Sequence, residues 1–229
     1  MERLPNGLTL SIPQGAFPLS TDSMLLSHFA RLPMQARVLD LGSGCGTLGL
    51  LLCASDSGCT VTGIELDPCA HAAALDNIRR NDLQSRMNSI CGDLRELHPT
   101  VAAGCMDVCV SNPPYFSGGP ESRRTPTARR EDCCSPKELF SAAAWALKYG
   151  GDFYLVHRPE RLAELISQGA EAGLEAKRLC LVRHREGSEI SLILLAFRKG
   201  GKPGLILEEA CLFDKNNAPT PFYRTVYHI

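Results

Sequence analysis

The chain has 229 residues, of which 44% are hydrophobic and 21% charged, a balance that excludes a disordered or fibrous protein and favours one domain, 1–229, over two. The formal net charge of −1 excludes a global positive field. The halves differ, however: residues 1–116 hold 7 Lys+Arg against 11 Asp+Glu, and residues 117–229 hold 17 against 14, so any polyanion contact is expected in the second half.

In chain order, an N-terminal segment, residues 1–35, carries Ser20-Thr21-Asp22 as the cap of a helix over Met24–Arg31. Arg37–Leu41 reads as a buried strand that runs into Gly42-Ser43-Gly44-Cys45-Gly46 and then a helix over Thr47–Cys53. A second strand over Thr60–Leu66 precedes a helix over Pro68–Asn81, whose proline suits a helix start. Met87–Cys91 is a short third strand ending at Gly92-Asp93, and Met106–Ser111 a fourth ending at Asn112-Pro113-Pro114-Tyr115. Residues 117–134, rich in Gly, Pro, Ser and Arg, read as a flexible basic loop. Beyond it the pattern gives a helix over Ser135–Tyr149, a strand over Gly151–His157, a helix over Arg158–Ala172, and strands over Leu174–Arg183 and Ser191–Arg198. Alternating strands and helices, with strands apolar enough to be covered twice, predict an α/β fold built on a doubly wound, mostly parallel, seven-stranded sheet. The last two strands lack an intervening helix and flank Gly187, so an antiparallel strand is expected at the sheet edge.

Eleven cysteines without a C-x-x-C pair read as reduced thiols, with Cys53, Cys59, Cys91, Cys105 and Cys109 in apolar surroundings. No ligands recur at metal spacing, so no metal is expected. The start, MERLPNGLTL, has no long apolar stretch, and no run reaches the roughly 18 apolar residues of a membrane span. A cytoplasmic protein is expected, with no membrane association.

Ligands of doubly wound sheets lie beyond the carboxyl ends of the strands. Four features fall there: Asp40-x-Gly42-x-Gly44-x-Gly46, Glu65, Asp93 and Asn112. Gly44-x-Gly46-x-x-Gly49 alone would also suit a nicotinamide dinucleotide. Glu65, 25 residues after Asp40, is placed to accept two ribose hydroxyls. No Lys-Ser/Thr pair follows the glycines to hold phosphate, and Asp40 would repel a pyrophosphate while suiting a cationic amino-acid group. These preferences point to S-adenosylmethionine.

At the acceptor end, Asn112-Pro113-Pro114-Tyr115-Phe116 suits an exocyclic amino group. The Asn112 amide carbonyl and the Pro113 backbone carbonyl can accept its two hydrogens, and the prolines remove competing donors. Tyr115, with Phe116, offers a π-face for a base. The methylated, ammonium-like product sheds its proton readily, so no general base is required; positioning and electrostatics carry the rate.

Together Asp40–Gly46, Glu65, Asp93 and Asn112–Tyr115 resemble the motif series of class I S-adenosylmethionine-dependent methyltransferases. The resemblance implies a Rossmann-like fold, catalytic residues Asn112, Pro113, Pro114 and Tyr115, and a cofactor held by Thr21, Asp22, Asp40, Gly42, Ser43, Gly44, Gly46, Glu65, Leu66, Asp93, Leu94 and Asn112. The Asn-Pro-Pro-Tyr motif alone leaves adenine N6, guanine N2 and the glutamine amide of proteins open as acceptors. Phe17-Pro18-Leu19-Ser20-Thr21-Asp22-Ser23 and Val156-His157-Arg158-Pro159-Glu160-Arg161-Leu162 resemble the valine-tRNA adenine-N6 methyltransferase family, from about Phe17 to Phe213. That likeness implies methylation of the adenosine beside the anticodon, and tRNA as the partner. A glutamine-directed enzyme would normally carry a separate substrate domain, and about 35 residues precede the first strand. A nucleoside-binding module without catalysis is the non-enzymatic alternative, opposed by the intact acceptor motif.

Substrate contacts are expected from Phe116, from Arg123, Arg124, Arg129 and Arg130, and from Arg158 and His157, although a structural role is the simpler reading of His157. The near-neutral net charge predicts modest, salt-sensitive RNA affinity. A monomer or weak homodimer with no obligatory protein partner is expected. Residues 216–229 match nothing, and the loop after Tyr115 carries no diagnostic motif.

Overall fold

The computed structural model describes residues 2–4, 7–12, 19–56, 58–98, 100–114 and 134–229. A two-residue ladder, β1 (Glu2–Arg3) with β2 (Thr9–Leu10), leads into α1 (Thr21–Phe29). There follow β3 (Arg37–Leu41), α2 (Thr47–Ser55), β4 (Thr60–Glu65), α3 (Pro68–Arg80), β5 (Met87–Cys91) and β6 (Met106–Ser111). The second half contains α4 (Pro136–Ala146), β7 (Leu147–His157), α5 (Leu162–Glu171), β8 (Leu174–Arg185), β9 (Ile190–Lys199), β10 (Ile206–Phe213) and α6 (Pro221–Tyr227). The sequence signals act locally as expected. Ser20 caps α1, Asp67 caps α3 with Pro68 behind it, and Ser135 with Glu138 forms a reciprocal capping box on α4.

The main sheet has eight strands in the order β10-β8-β9-β7-β6-β3-β4-β5. This corrects the seven-stranded expectation: β10 adds itself parallel to β8. The antiparallel strand is also placed differently. β9 pairs antiparallel with both β7 and β8, so it lies inside the sheet and not at its edge. The hairpin at Gly187 turns β8 back onto β9 as expected, but β9 has slotted between β8 and β7, leaving the outer edge of β8 open for β10.

Two apolar layers sandwich the sheet. On one face Val38, Val61, Val110, Tyr154 and Val156 pack under α1, α2 and α6. On the other, Leu39, Leu41, Phe153, Leu155 and Phe197 meet α4 and α5, with Phe140 edge-on to Phe153 and Phe197 at 5.4 and 5.0 Å. The parity of β7 decides the fate of His157. It follows Phe153 and Leu155 by steps of two, and its side chain is 0% exposed. The expectation that His157 touches a substrate phosphate is therefore corrected; burial lowers its pKa and keeps it a neutral core residue.

All ten described cysteines are free thiols. Cys53, Cys59 and Cys109 are buried as expected, whereas Cys91, at the end of the edge strand β5, is exposed and Cys105 half-buried. Among the described residues no helix is long and apolar enough to cross a membrane, and no group of three His, Cys, Asp or Glu could hold a metal.

Candidate active site

From β3 the chain winds outward through β4 to β5 and then returns to place β6 on the other side of β3. Crevices of doubly wound sheets open at such a reversal. Asp40 and the glycine turn leave β3 on one side of it, and Asn112 leaves β6 on the other. Ser111 fastens the two strand ends together by donating from Oγ to the Leu41 carbonyl at 2.7 Å.

The turn itself requires glycine. Gly42, Gly44 and Gly46 all have positive φ, and Gly46 at +84° occupies the cap position of α2. A Cβ built on Gly42 or Gly44 meets no atom within 4 Å, so the backbone borders open space there. Gly63 on β4 answers a different need: a Cβ would lie 2.5 Å from Ser43 Oγ, so only glycine lets the turn descend onto β4. The Gly42 and Ser43 amides each donate to the Ile64 carbonyl at 3.0 Å, and the Gly44 amide donates to Glu65 Oε2 at 2.7 Å. The other oxygen of Glu65 accepts from the Asp67 amide at 2.8 Å. A carboxylate offers about four acceptor positions, so Glu65 is fixed by two backbone donors with two positions left.

Asp40 lies beneath the turn, 2% exposed, with Oδ2 lacking a partner. Burial pushes its pKa up to about 7, the neighbouring Glu65 charge adds to this, and the Gly49 backbone amide opposes it. Ser43 Oγ is a second buried polar atom without a partner at the same turn. An unpartnered buried acid, an unpartnered hydroxyl and an open glycine cradle fit a cationic nucleoside ligand better than an anionic one.

Asp93, expected at this end, is half-buried after β5. It caps the short turn Leu94–Glu96 and takes Arg95 bidentately, with Nε at 2.9 Å from both oxygens. Arg95 holds the Asp93 carboxyl below its usual range. Leu66, directly after Glu65, is 47% exposed, and Leu94 is half-buried.

Asn112 and Pro114 are half-buried and Pro113 buried. The Asn112 side chain donates from Nδ2 to Ser23 Oγ at 3.0 Å and lies 3.5 Å from Ser20 Oγ. Thus the first turn of α1, carrying Thr21 and Asp22, is brought against the acceptor motif. Tyr227 of α6 meets the same turn, its Oη 3.0 Å from Thr21 Oγ1. Arg158 is exposed at the carboxyl end of β7 and donates to the Ser191 carbonyl at 3.3 Å. Tyr115, Phe116, Arg123, Arg124, Arg129 and Arg130, together with Phe17 and Pro18, lie outside the described residues.

Several contributors carry no functional signal in the sequence. Ser23 and Ser20 stand in a run that reads as a helix cap and as part of the family resemblance but gives neither serine a role of its own, and Tyr227 stands in a stretch that matches nothing. Asn77, fully buried on α3, donates to the Ser11 and Cys45 carbonyls at 2.9 and 3.0 Å, pinning the glycine turn to the N-terminal segment. A cleft of about 430 Å³ lined by Asp107, Lys148, Tyr149 and Arg198 lies at the opposite end of the sheet. Its carboxylates are matched by Lys148 on Asp107 and Arg198 on Asp152, at 2.7 and 2.8 Å, and none of the expected site residues reaches it.

The family model described as methyltransferase small domain matches residues 20–168. The chain belongs to this family. The matched span runs from the α1 cap through the glycine turn, Glu65 and Asn112 to α5. Among family relatives, a tRNA1(Val) (adenine(37)-N6)-methyltransferase from Photobacterium profundum is 28% identical, covering 89% of this chain and 87% of its own. One of the same name from Bacteroides fragilis is 31% identical over 80% and 77%. Among solved structures, a predicted O-methyltransferase from Agrobacterium tumefaciens superposes with a TM-score of 0.77 at 20% identity, covering 91% of this chain and 96% of that one. A geranyl diphosphate C-methyltransferase from Streptomyces coelicolor, solved with S-adenosyl-L-homocysteine, has a TM-score of 0.58 at 12% identity over 77% of this chain and 76% of its own. At these identities the structures speak for the fold alone: a Rossmann-like methyltransferase sheet.

Proposed function

We propose that this chain transfers a methyl group from S-adenosylmethionine to the exocyclic N6 amine of an adenine in tRNA, the adenosine beside the anticodon of a valine tRNA. The observation that carries the reading is the seating of Asn112 at the carboxyl end of β6, bound through its amide nitrogen and fastened beside the glycine turn. The names of the relatives, matched over four-fifths or more of the chain, support the choice of adenine and of tRNA.

S-adenosylmethionine supplies an electrophilic methyl on a sulfonium centre. Glu65, with two acceptor positions left, takes the ribose hydroxyls, and the buried Asp40 provides a negative field for the cationic end. Asn112 Oδ1 and the Pro113 carbonyl accept the two hydrogens of the amine and expose its lone pair; Pro114 holds the loop without adding a donor. Tyr115 and Phe116 cover the base, which must leave its stack to enter the site. The proton of the product passes to solvent without a dedicated base. Arg158 and the arginines of 117–134 hold the flanking phosphates. The protein acts in the cytoplasm, as a monomer or weak homodimer.

Labelled methyl transfer from S-adenosylmethionine to a valine-tRNA anticodon stem-loop, followed by nucleoside mass spectrometry, tests the reading. N6-methyladenosine as the product supports it. Methylation of a glutamine peptide and not the RNA, or of guanine, overturns the acceptor.

A further inference from the structure

Resting on that reading, we infer that Ser23, with Ser20 behind it, is a positioning residue that fixes which end of the Asn112 amide faces the acceptor. An asparagine amide has an accepting oxygen and a donating nitrogen of nearly the same shape, and a half-turn about its terminal torsion exchanges them. Only the oxygen can hold a hydrogen of the acceptor amine; the nitrogen would meet that amine donor against donor. Something must therefore break the symmetry of the side chain.

The first turn of α1 does this. Ser20 caps the helix, its Oγ accepting from the Ser23 amide at 3.2 Å. The same Ser20 Oγ lies 3.3 Å from Ser23 Oγ and can accept the Ser23 hydroxyl proton as well. Either hydroxyl can donate in that contact; when Ser23 does, its Oγ presents lone pairs to the Asn112 Nδ2, which donates into them at 3.0 Å and lies 3.5 Å from Ser20 Oγ. Ser23 is 6% exposed, so little water competes for this place. In that arrangement the donors run from Asn112 through Ser23 to Ser20, and the amide oxygen is left for the substrate. Reversing the amide would put an acceptor on Ser23 and forfeit the contacts that Nδ2 makes with both serine hydroxyls. The first turn of α1 thus reaches across 89 residues of sequence to the acceptor motif.

The test is a double-substitution cycle with the valine-tRNA stem-loop and S-adenosylmethionine. Ser23→Ala should lower kcat by about tenfold, while the cofactor Kd from calorimetry stays within about twofold. In an Asn112→Asp background both side-chain oxygens accept, so orientation no longer matters and Ser23→Ala should cost nothing further. Ser23→Thr, keeping the hydroxyl, should restore turnover to near the wild-type value. An unchanged kcat in Ser23→Ala, an equal loss in both backgrounds, or a matching loss of cofactor affinity overturns the inference. Should Asn112→Asp turn over too slowly to measure, the threonine variant decides: turnover as low as that of alanine overturns it. Absence of methyl transfer by the wild type would instead defeat the proposed function.

Discussion

Two acids at the ends of neighbouring strands carry opposite duties. Glu65 is solvated enough to meet a ligand and is fixed by two amides. Glu65→Ala should weaken S-adenosylmethionine binding by about 2–3 kcal/mol, read by calorimetric titration, since the acceptors of two ribose hydroxyls vanish. Asp40 is buried with its pKa pushed up to about 7, so in the ligand-free protein it is largely protonated below neutrality. A cationic ligand favours the ionised form, so binding should release a proton and strengthen as pH rises from about 5 to 7, levelling above. For folding the sign is reversed. A raised carboxyl pKa contributes stability that is complete below the unfolded value near 4 and is lost as pH climbs through 7, about 4 kcal/mol in all. Asp40→Asn should therefore melt higher than wild type at pH 8, with the difference shrinking toward pH 4, and its cofactor affinity should lose the pH dependence. A wild-type affinity flat between pH 5 and 8 would contradict this. Asn112→Ala should reduce turnover roughly 10²–10³-fold with little change in cofactor Kd, as loss of a preorganised acceptor does.

At the scale of elements, α6 is the addition that sequence did not reveal. Seven residues are too few for a periodic signal, yet Val226 is buried in the α1–α2 layer and Phe222 meets His28 edge-on at 5.7 Å. Tyr227→Phe removes only the hydroxyl on Thr21 and should cost about 1 kcal/mol, a fall in Tm of roughly 2–4 °C by calorimetry. An unchanged Tm would mean that water replaces the bond without loss. The strands from β3 to β9 were legible from apolar stretches bounded by Gly, Pro or Asp, except that the helix expected over Ser135–Tyr149 ends at Ala146 and β7 begins at Leu147. β10 was not: Ile206 and Leu207 are exposed, Glu208 and Glu209 interrupt the alternation, and only Ala210 and Leu212 reach the core. The site divides likewise. Asp40, Glu65 and Asn112 announce themselves by standing at strand ends. Ser23 and Tyr227 act across 89 and 206 residues, and no local pattern encodes a partner so remote. At His157 the sequence offered a phosphate contact beside a structural role, and the pleat, by turning it inward, leaves the structural one.

For the molecule as a whole, the charge excess of the second half should make RNA binding modest and salt-dependent. Reversing Arg123, Arg124, Arg129 and Arg130 together should abolish measurable tRNA binding at moderate salt and leave cofactor affinity intact; normal methylation by that variant would make those charges bystanders. The bond between Tyr227 and Thr21 has a temporal side. Chains leave the ribosome N-terminus first at roughly 5–20 residues per second, so the two residues, 206 apart, emerge on the order of 10–40 s from one another. The cradle of β3, β4 and β6 and the seat of α1 on α2 can close early, whereas the hydroxyl bond to Thr21 waits for α6 to dock. A nascent chain halted before residue 221 would lack this one brace while the seats of α1 on α2 and β7 were already available, so the bond is the last of the contacts at that turn to close.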